Sequence, residues 1–326
     1  MFGKTKLFLI IASMLCMASC DTIREDLPRC ELWLEFAFDY NMEYADAFNP
    51  QVKSVDVFVF GSDDKLLFSK RAEATALIGG NRMSLTNELD FGNYKVLTVG
   101  SLSDNFHALD NAGRELVPGT TTLRQLTVAL KRASDIVDFE FQHLYFSGVV
   151  EVDHLPSNTD HKVYRVNLIR NTNRFNIALM KYGEGQKNGT QYTFEIQAPE
   201  SATYSWENEP THQGPVHYVP HYTGQGETSD VFVSARLNTM RLFNRDGWDY
   251  QFIIKNADTG TKIWSYDLMK LLSIARPTSR HDGTELPFQE YLDRQSEWNL
   301  IFTVTEKSGG GEFIQIGLVV GTWIYW

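Results

Sequence analysis

The stretch Glu31-Leu32-Trp33-Leu34-Glu35-Phe36-Ala37-Phe38 decides the fold. Leu32, Leu34, Phe36 and Phe38 alternate with Trp33, Glu35, Ala37 and Asp39. Successive side chains of a strand point to opposite faces, so this period of two puts one apolar row on a core and leaves the other half-exposed. The same period recurs down the chain. Val55, Val57 and Val59 share a face, as do Tyr192, Phe194 and Ile196, then Tyr250, Phe252 and Ile254, then Leu300, Phe302 and Val304. Ile314, Ile316, Leu318 and Val320 repeat it near the end. Gly- and Asp-rich turns separate these runs at 61–64, 79–80, 183–189, 258–260 and 308–311. Many short strands joined by polar turns define an all-β chain of sandwich type.

Helical signals are few. Leu123, Leu126 and Leu130 predict a helix over Leu123–Lys131 capped by Thr122. Asp267 caps a turn or two through Leu268, Leu271 and Leu272, and Pro287 starts another through Tyr291 and Leu292. The His154–Lys162 segment, with Pro156, Ser157, Asn158 and Asp160, reads as a linker, so residues 31–155 are expected to form an N-terminal sandwich and 156–326 a C-terminal one.

The 326-residue chain carries a net charge of -11, which argues against nucleic-acid partners because phosphate binding needs basic surface. Hydrophobic residues make up 43%, enough for a real core, and aromatics at 13% favour strands. The N-terminus is an export signal. Lys4 and Lys6 precede an apolar run from Leu7 to Met17, too short for a bilayer span, which needs about 20 residues. Ala18-Ser19 then lead to Cys20. Small residues directly before a cysteine resemble the bacterial lipobox, so residues 1–19 are expected to be removed, Cys20 to carry lipid, and 20–30 to form the tether. Cys16 leaves with the signal and Cys30 is then the only free thiol, which excludes an internal disulfide.

Phe38-Asp39-Tyr40-Asn41-Met42-Glu43-Tyr44-Ala45-Asp46-Ala47-Phe48 resembles a block of the FimB-type fimbrial anchor subunits of Bacteroidales bacteria. Glu25-Asp26-Leu27-Pro28-Arg29-Cys30 before it, Val57-Phe58-Val59-Phe60, Leu144-Tyr145-Phe146-Ser147-Gly148, Glu290–Gln295 and Trp298-Asn299-Leu300 resemble further pieces of that family, in the same order. The chain departs from it in lacking a second cysteine to pair with Cys30, and in ending Val320-Gly321-Thr322-Trp323 where relatives have Asn-Gly-Trp. The resemblance implies two transthyretin-like β-sandwich domains with a few short helices. It also implies an outer-membrane lipoprotein that holds a pilus base, can limit pilus length and has a fimbrial stalk subunit as its partner. The other reading is a stand-alone surface lipoprotein that binds glycan or protein; it would present an aromatic platform, for which Trp206, Trp248 and Trp264 are the residues to inspect.

Chemistry is sparse. His212, His217 and His221 lie in one Pro-containing stretch without metal-ligand spacing, so no metal or other cofactor is expected. Ser308-Gly309-Gly310-Gly311 lacks the Gly-Lys-Ser/Thr ending of a phosphate loop, and no Gly-x-Ser-x-Gly elbow occurs, so no enzyme activity is expected. Tyr40, Asn41, Tyr44 and Asp46 read either as a partner surface or, preferably, as a packed turn whose Asn and Asp satisfy local backbone groups. The aromatic C-terminal strand, with Phe313, Trp323, Tyr325 and Trp326, either docks the first stalk subunit or closes an edge of the second sandwich.

Overall fold

A computed structural model describes residues 31–155, 161–181, 192–199, 202–211, 214–225, 231–278, 283–306, 312–320 and 323–325. Within the first half lie β1 (Glu31–Ala37), β2 (Ser54–Phe60), β3 (Leu66–Glu73), β4 (Arg82–Ser84), β5 (Gly92–Gly100), β6 (Phe106–Asp110), β7 (Leu126–Leu130) and β8 (Ile136–Val137). Then come β9 (Tyr145–Ser147), β10 (Val150–His154), β11 (His161–Arg170), β12 (Thr172–Lys181), β13 (Tyr192–Ala198), β14 (Thr203–Ser205), β15 (Val216–Tyr218) and β16 (Tyr222–Gln225). The last strands are β17 (Val231–Met240), β18 (Gln251–Asn256), β19 (Lys262–Asp267), β20 (Glu297–Glu306), β21 (Glu312–Val320) and β22 (Trp323–Tyr325). Short helices are α1 (Phe48–Gln51), α2 (Leu268–Ser273) and α3 (Phe288–Arg294). The chain is all-β, as the alternation requires.

Four sheets form. The first runs β3-β2-β5-β9-β11-β1-β4, with β10 also on β5. A three-stranded sheet, β14-β7-β6, covers one side of it. The second half has a six-stranded sheet, β16-β17-β12-β20-β21-β22, and a five-stranded one, β19-β18-β13-β15-β8. The even positions of β1 are buried as expected: Leu32, Leu34 and Phe36 join Val55, Val57, Val59, Val96, Val166 and Leu168 in one core. A second, larger core starts from Phe58, Phe60, Leu97 and Val99 on the opposite face of β2 and β5 and continues into the second half. There Phe252 stacks on Phe302 with centroids 4.9 Å apart, joining the five- and six-stranded sheets.

Each half pairs its first strand in parallel with a late one. β1 runs beside β11 from Glu31↔His161 to Ala37↔Asn167. β12 runs beside β20 from Arg174↔Glu297 to Lys181↔Val304. The expected division at 155/156 falls between β10 and β11, and both of these strands belong to the first sheet. One residue, Asn171, separates β11 from β12.

One helix is corrected. Only Leu123–Gln125 forms a 3-10 turn, and Leu126–Leu130 is β7. Leu123, Leu126 and Leu130 satisfy a helical spacing, but Leu126, Val128 and Leu130 are all buried and so obey the strand period instead. Thr122 and Gln125 do form a capping box, with the Thr122 N–H donating to Gln125 Oε1 at 2.9 Å. The helix after Asp267 is present, and Asp267 Oδ1 accepts from the Lys270 N–H at 3.0 Å. Pro287 stands one residue ahead of α3, at its N-cap.

Candidate functional site: the junction of the two halves

The halves trade strands. β8, from the first half, pairs in parallel with β15 through His217↔Ile136 and Tyr218↔Val137. β14, from the second half, pairs with β7 through Thr203↔Ala129 to Ser205↔Thr127. The two exchanges make neither half's sheets complete without the other.

Beside β14 lies a polar and aromatic clamp. The Phe38–Phe48 block is its first part. Asn41 is buried and donates Nδ2 to the Phe38 and Ala45 carbonyls at 3.0 and 2.7 Å, while its Oδ1 accepts from the Glu43 N–H at 3.1 Å. Asp46 Oδ1 accepts from the Phe38 and Phe48 N–H groups at 2.9 and 3.0 Å. The turn is thus internally satisfied, as the packed reading requires, and Tyr44 holds a left-handed φ of 56°. Its tyrosines nevertheless serve a purpose beyond the turn. Arg294, from α3, lies 4.1 Å from the Tyr40 ring centroid and 4.4 Å from that of Tyr44. It donates Nη1 to the Asn41 carbonyl at 3.2 Å and Nε to Glu290 at 2.7 Å. A guanidinium between two π faces gains quadrupole attraction from both. Burial, with the Asp293 and Glu290 carboxylates nearby, holds the Tyr40 hydroxyl above its ordinary pKa against the opposing pull of Arg294.

Behind Arg294, Asp293 takes a two-pronged contact from Arg241. Burial alone would lower the Arg241 pKa, but the Asp293 hydrogen bonds and charge outweigh it and the guanidinium is held above its usual value. Arg241 Nη1 also reaches the Asn208 carbonyl at 3.4 Å. Asn208 and Asn171, both buried, exchange side-chain amide hydrogen bonds. The Asn171 backbone donates to Leu144 and accepts from the Arg241 N–H at 2.7 and 2.8 Å. The single-residue link between the halves is therefore tied on three sides. Beside it, Arg170 sits 5.1 Å over Phe38 and 5.7 Å over Tyr145, and also contacts Gln51. His143 bridges Thr172 at 2.9 Å and Glu297 at 3.2 Å. Burial lowers its pKa, the Glu297 hydrogen bond opposes this, and Arg170 and Arg174 add to the lowering.

The sequence signalled part of this clamp. Tyr40, Asn41, Tyr44 and Asp46 belong to the quoted block, and Asp293 and Arg294 to Glu290–Gln295, but no pattern linked them to Arg241, Asn171, Asn208 or His143. Cys20 and Trp326 lie outside the described residues, and so does His212. Phe313 falls in β21, and Trp323 and Tyr325 in β22, the terminal strand of the six-stranded sheet. His217 donates Nδ1–H to Glu195 Oε1 at 2.7 Å on the outer face of β13. Burial pushes the Glu195 pKa up, but hydrogen bonds from Lys255, His217 and Gln197 more than offset this and hold it low. No group of three metal-capable side chains occurs among the described residues.

Trp206, Trp248 and Trp264 are half-buried and pack on the large core, so they form no exposed platform. Trp264 stacks on Tyr192 and Trp248 meets Phe243 edge-on. A groove of about 570 Å³ crosses the outer face of β6, β7 and β14. It is lined by His107, Asp110, Thr127, Arg132, Asp135 and Thr203 among others, with no Trp, Tyr or Phe. Its charges are spent internally, Arg132 on Asp135 and Arg114 on Asp110.

The fold is thus an interlocked pair of β-sandwiches with a braced junction. The sequence profile of the fimbrillin-A associated anchor proteins Mfa1 and Mfa2 matches residues 27–326, and the chain belongs to that family. A crystal structure of a candidate adhesin from Bacteroides ovatus is 77% identical, covers 94% of this chain and 98% of its own, and superposes with a TM-score of 0.85. A candidate polysaccharide-binding protein of Bacteroides thetaiotaomicron is 28% identical over 91% of this chain and 97% of its own, at a TM-score of 0.74. The fimbrial anchor protein Mfa2 of Porphyromonas gingivalis shares the fold at 16% identity, with 90% and 98% covered and a TM-score of 0.64. No curated protein matches the chain in sequence.

Proposed function

We propose that the chain is an anchor subunit that is lipidated on Cys20, tethers a fimbria to the outer membrane and limits fimbrial length. The carrying observation is the family match over 27–326, set behind a Lys-led apolar run that ends in Ala18-Ser19-Cys20. The diacylated or triacylated cysteine supplies the two or more chains that durable membrane attachment takes. No helix among the described residues is long and apolar enough to cross a membrane. Residues 20–30 are the tether. The boundary between units is placed at Asn171, where β11 passes to β12, and the stalk subunit is placed on the free side of β22. A stand-alone glycan binder is disfavoured because Trp206, Trp248 and Trp264 are half-buried against the large core.

Replacing Cys20 with Ala is the test. Fimbriae and anchor should both pass from the membrane fraction to the medium, and fimbriae should lengthen when the anchor is removed altogether. Retention of the Cys20→Ala protein in the membrane fraction would overturn the lipid, and unchanged fimbriae in its absence would overturn the anchor.

A further inference from the structure

We propose that the β1–β11 pair is a mechanical clamp, a force-bearing function built into the strand order. The physiological load rests on the anchor reading, but the clamp itself rests on topology alone. The tether enters β1 at Glu31. The second half leaves β11 at Arg170, through Asn171. Because β1 and β11 are parallel, with Glu31 opposite His161 and Ala37 opposite Asn167, a pull between tether and second half draws the two strands from opposite ends. Strands pulled so must slide past each other, and the evenly spaced bonds of a parallel ladder share the load together. Antiparallel or same-end loading would instead open them one bond at a time.

Three further features resist sliding. β4 grips the other edge of β1 at Trp33↔Ser84, Leu34↔Met83 and Glu35↔Arg82. Leu32, Leu34 and Phe36 are at most 1% exposed, so axial motion must drag them through a close-packed core. Arg82 holds Glu35 at 2.6 Å, and Arg165 on β11 holds Asp39 at 2.8 Å just past the end of β1. The second half repeats the geometry. β12 is loaded at its start from Asn171, and its parallel partner β20 leaves at the far end beside Lys181. Along the covalent chain the two clamps stand in series, with the Asn171–Asn208 pair between them, while the β8–β15 and β14–β7 pairings bridge the halves beside that path.

Single-molecule pulling on the mature chain from Asp21 onward tests this, with the Cys30 thiol as one handle. The second handle is Thr259→Cys, in the exposed β18–β19 turn, for opposite-end loading, or His161→Cys, at the exposed start of β11, for same-end loading. Release of β1 should need several-fold more force with the Thr259→Cys handle than with the His161→Cys handle. Early opening of the β18–β19 hairpin leaves β1 under load, so its release is still read. Equal forces in the two geometries would overturn the clamp. That failure would leave the anchor reading standing, since Cys20→Ala fractionation tests that reading independently.

Discussion

Arg241 and Asp293 form a two-pronged ion pair, at 2.7 and 2.8 Å, with side chains only 12% and 5% exposed. A charge this buried is tolerated only with its partner. Asp293→Ala should therefore cost about 3–5 kcal/mol, because it strands the Arg241 guanidinium away from water. Urea unfolding would read the loss. Arg241→Ala should cost a similar amount, and the double variant clearly less than the sum, since both remove the same interaction. Additive losses would mean that the pair is not the source.

Arg294 is the arginine whose geometry a lysine cannot copy. Its planar head stacks on Tyr40 and Tyr44 while its N–H groups reach Asn41 and Glu290. Arg294→Ala should destabilise the chain by about 1–4 kcal/mol, from two cation–π contacts of roughly 0.5–2 kcal/mol each. Arg294→Lys should recover only part of that, because an ammonium cannot stack and fork at once. Hydrogen exchange should show faster amide exchange at residues 40–46 in both variants; unchanged exchange there would place the stabilisation elsewhere.

Asp56 carries a pH signature. Burial raises its pKa to about 6, against the opposing charge of Arg71. The folded chain then holds this proton up to about pH 6, while the unfolded chain loses it near 3.8. Between those values the native state binds more protons, so this group's contribution to stability falls as pH rises through the window. Asp56→Asn removes the penalty. The variant should come close to the parent near pH 4 and exceed it at pH 7 by on the order of 3 kcal/mol, at ~1.4 kcal/mol per pKa unit. Thermal melts across pH 4–7 check it, and a gain that is flat with pH would refute the assignment.

How much of this was legible in the sequence depends on element length. β1, β13 and β18 are long enough for alternation to show, and their buried rows are the ones the pattern picks out. β8 and β14, two and three residues long, carry no period, so the strand exchange that interlocks the halves was invisible. Leu123–Lys131 misled because its leucines fit a helix, and only the burial of Val128 decides for a strand. The turn at Asn41 and Asp46 was readable because its hydrogen bonds are local. Arg241 and Asn208 were not, because their partners lie 52 and 37 residues away and nothing in their neighbours marks them as buried.

In the proposed anchor, the C-terminal strand is where the stalk is expected to dock. β22 pairs with β21 at Leu318↔Tyr325, Val319↔Ile324 and Val320↔Trp323, and it is the last strand of its sheet. A terminal strand presents a row of backbone groups on its free side, and another chain can add there by β-augmentation. β1, by contrast, is held between β11 and β4, so the first half has no vacant place beside it. Deleting Trp323–Trp326 removes a three-residue strand from the edge while β12, β20 and β21 keep their mutual pairing. The truncated protein should thus remain folded and membrane-bound, with its melting temperature lowered by at most a few degrees. It should no longer retain fimbriae, which should then be shed into the medium. Counting cell-bound against shed fimbriae by electron microscopy, alongside the protein's abundance in the membrane fraction, measures both parts. Normal retention of fimbriae by a folded, truncated anchor would show that the stalk docks elsewhere.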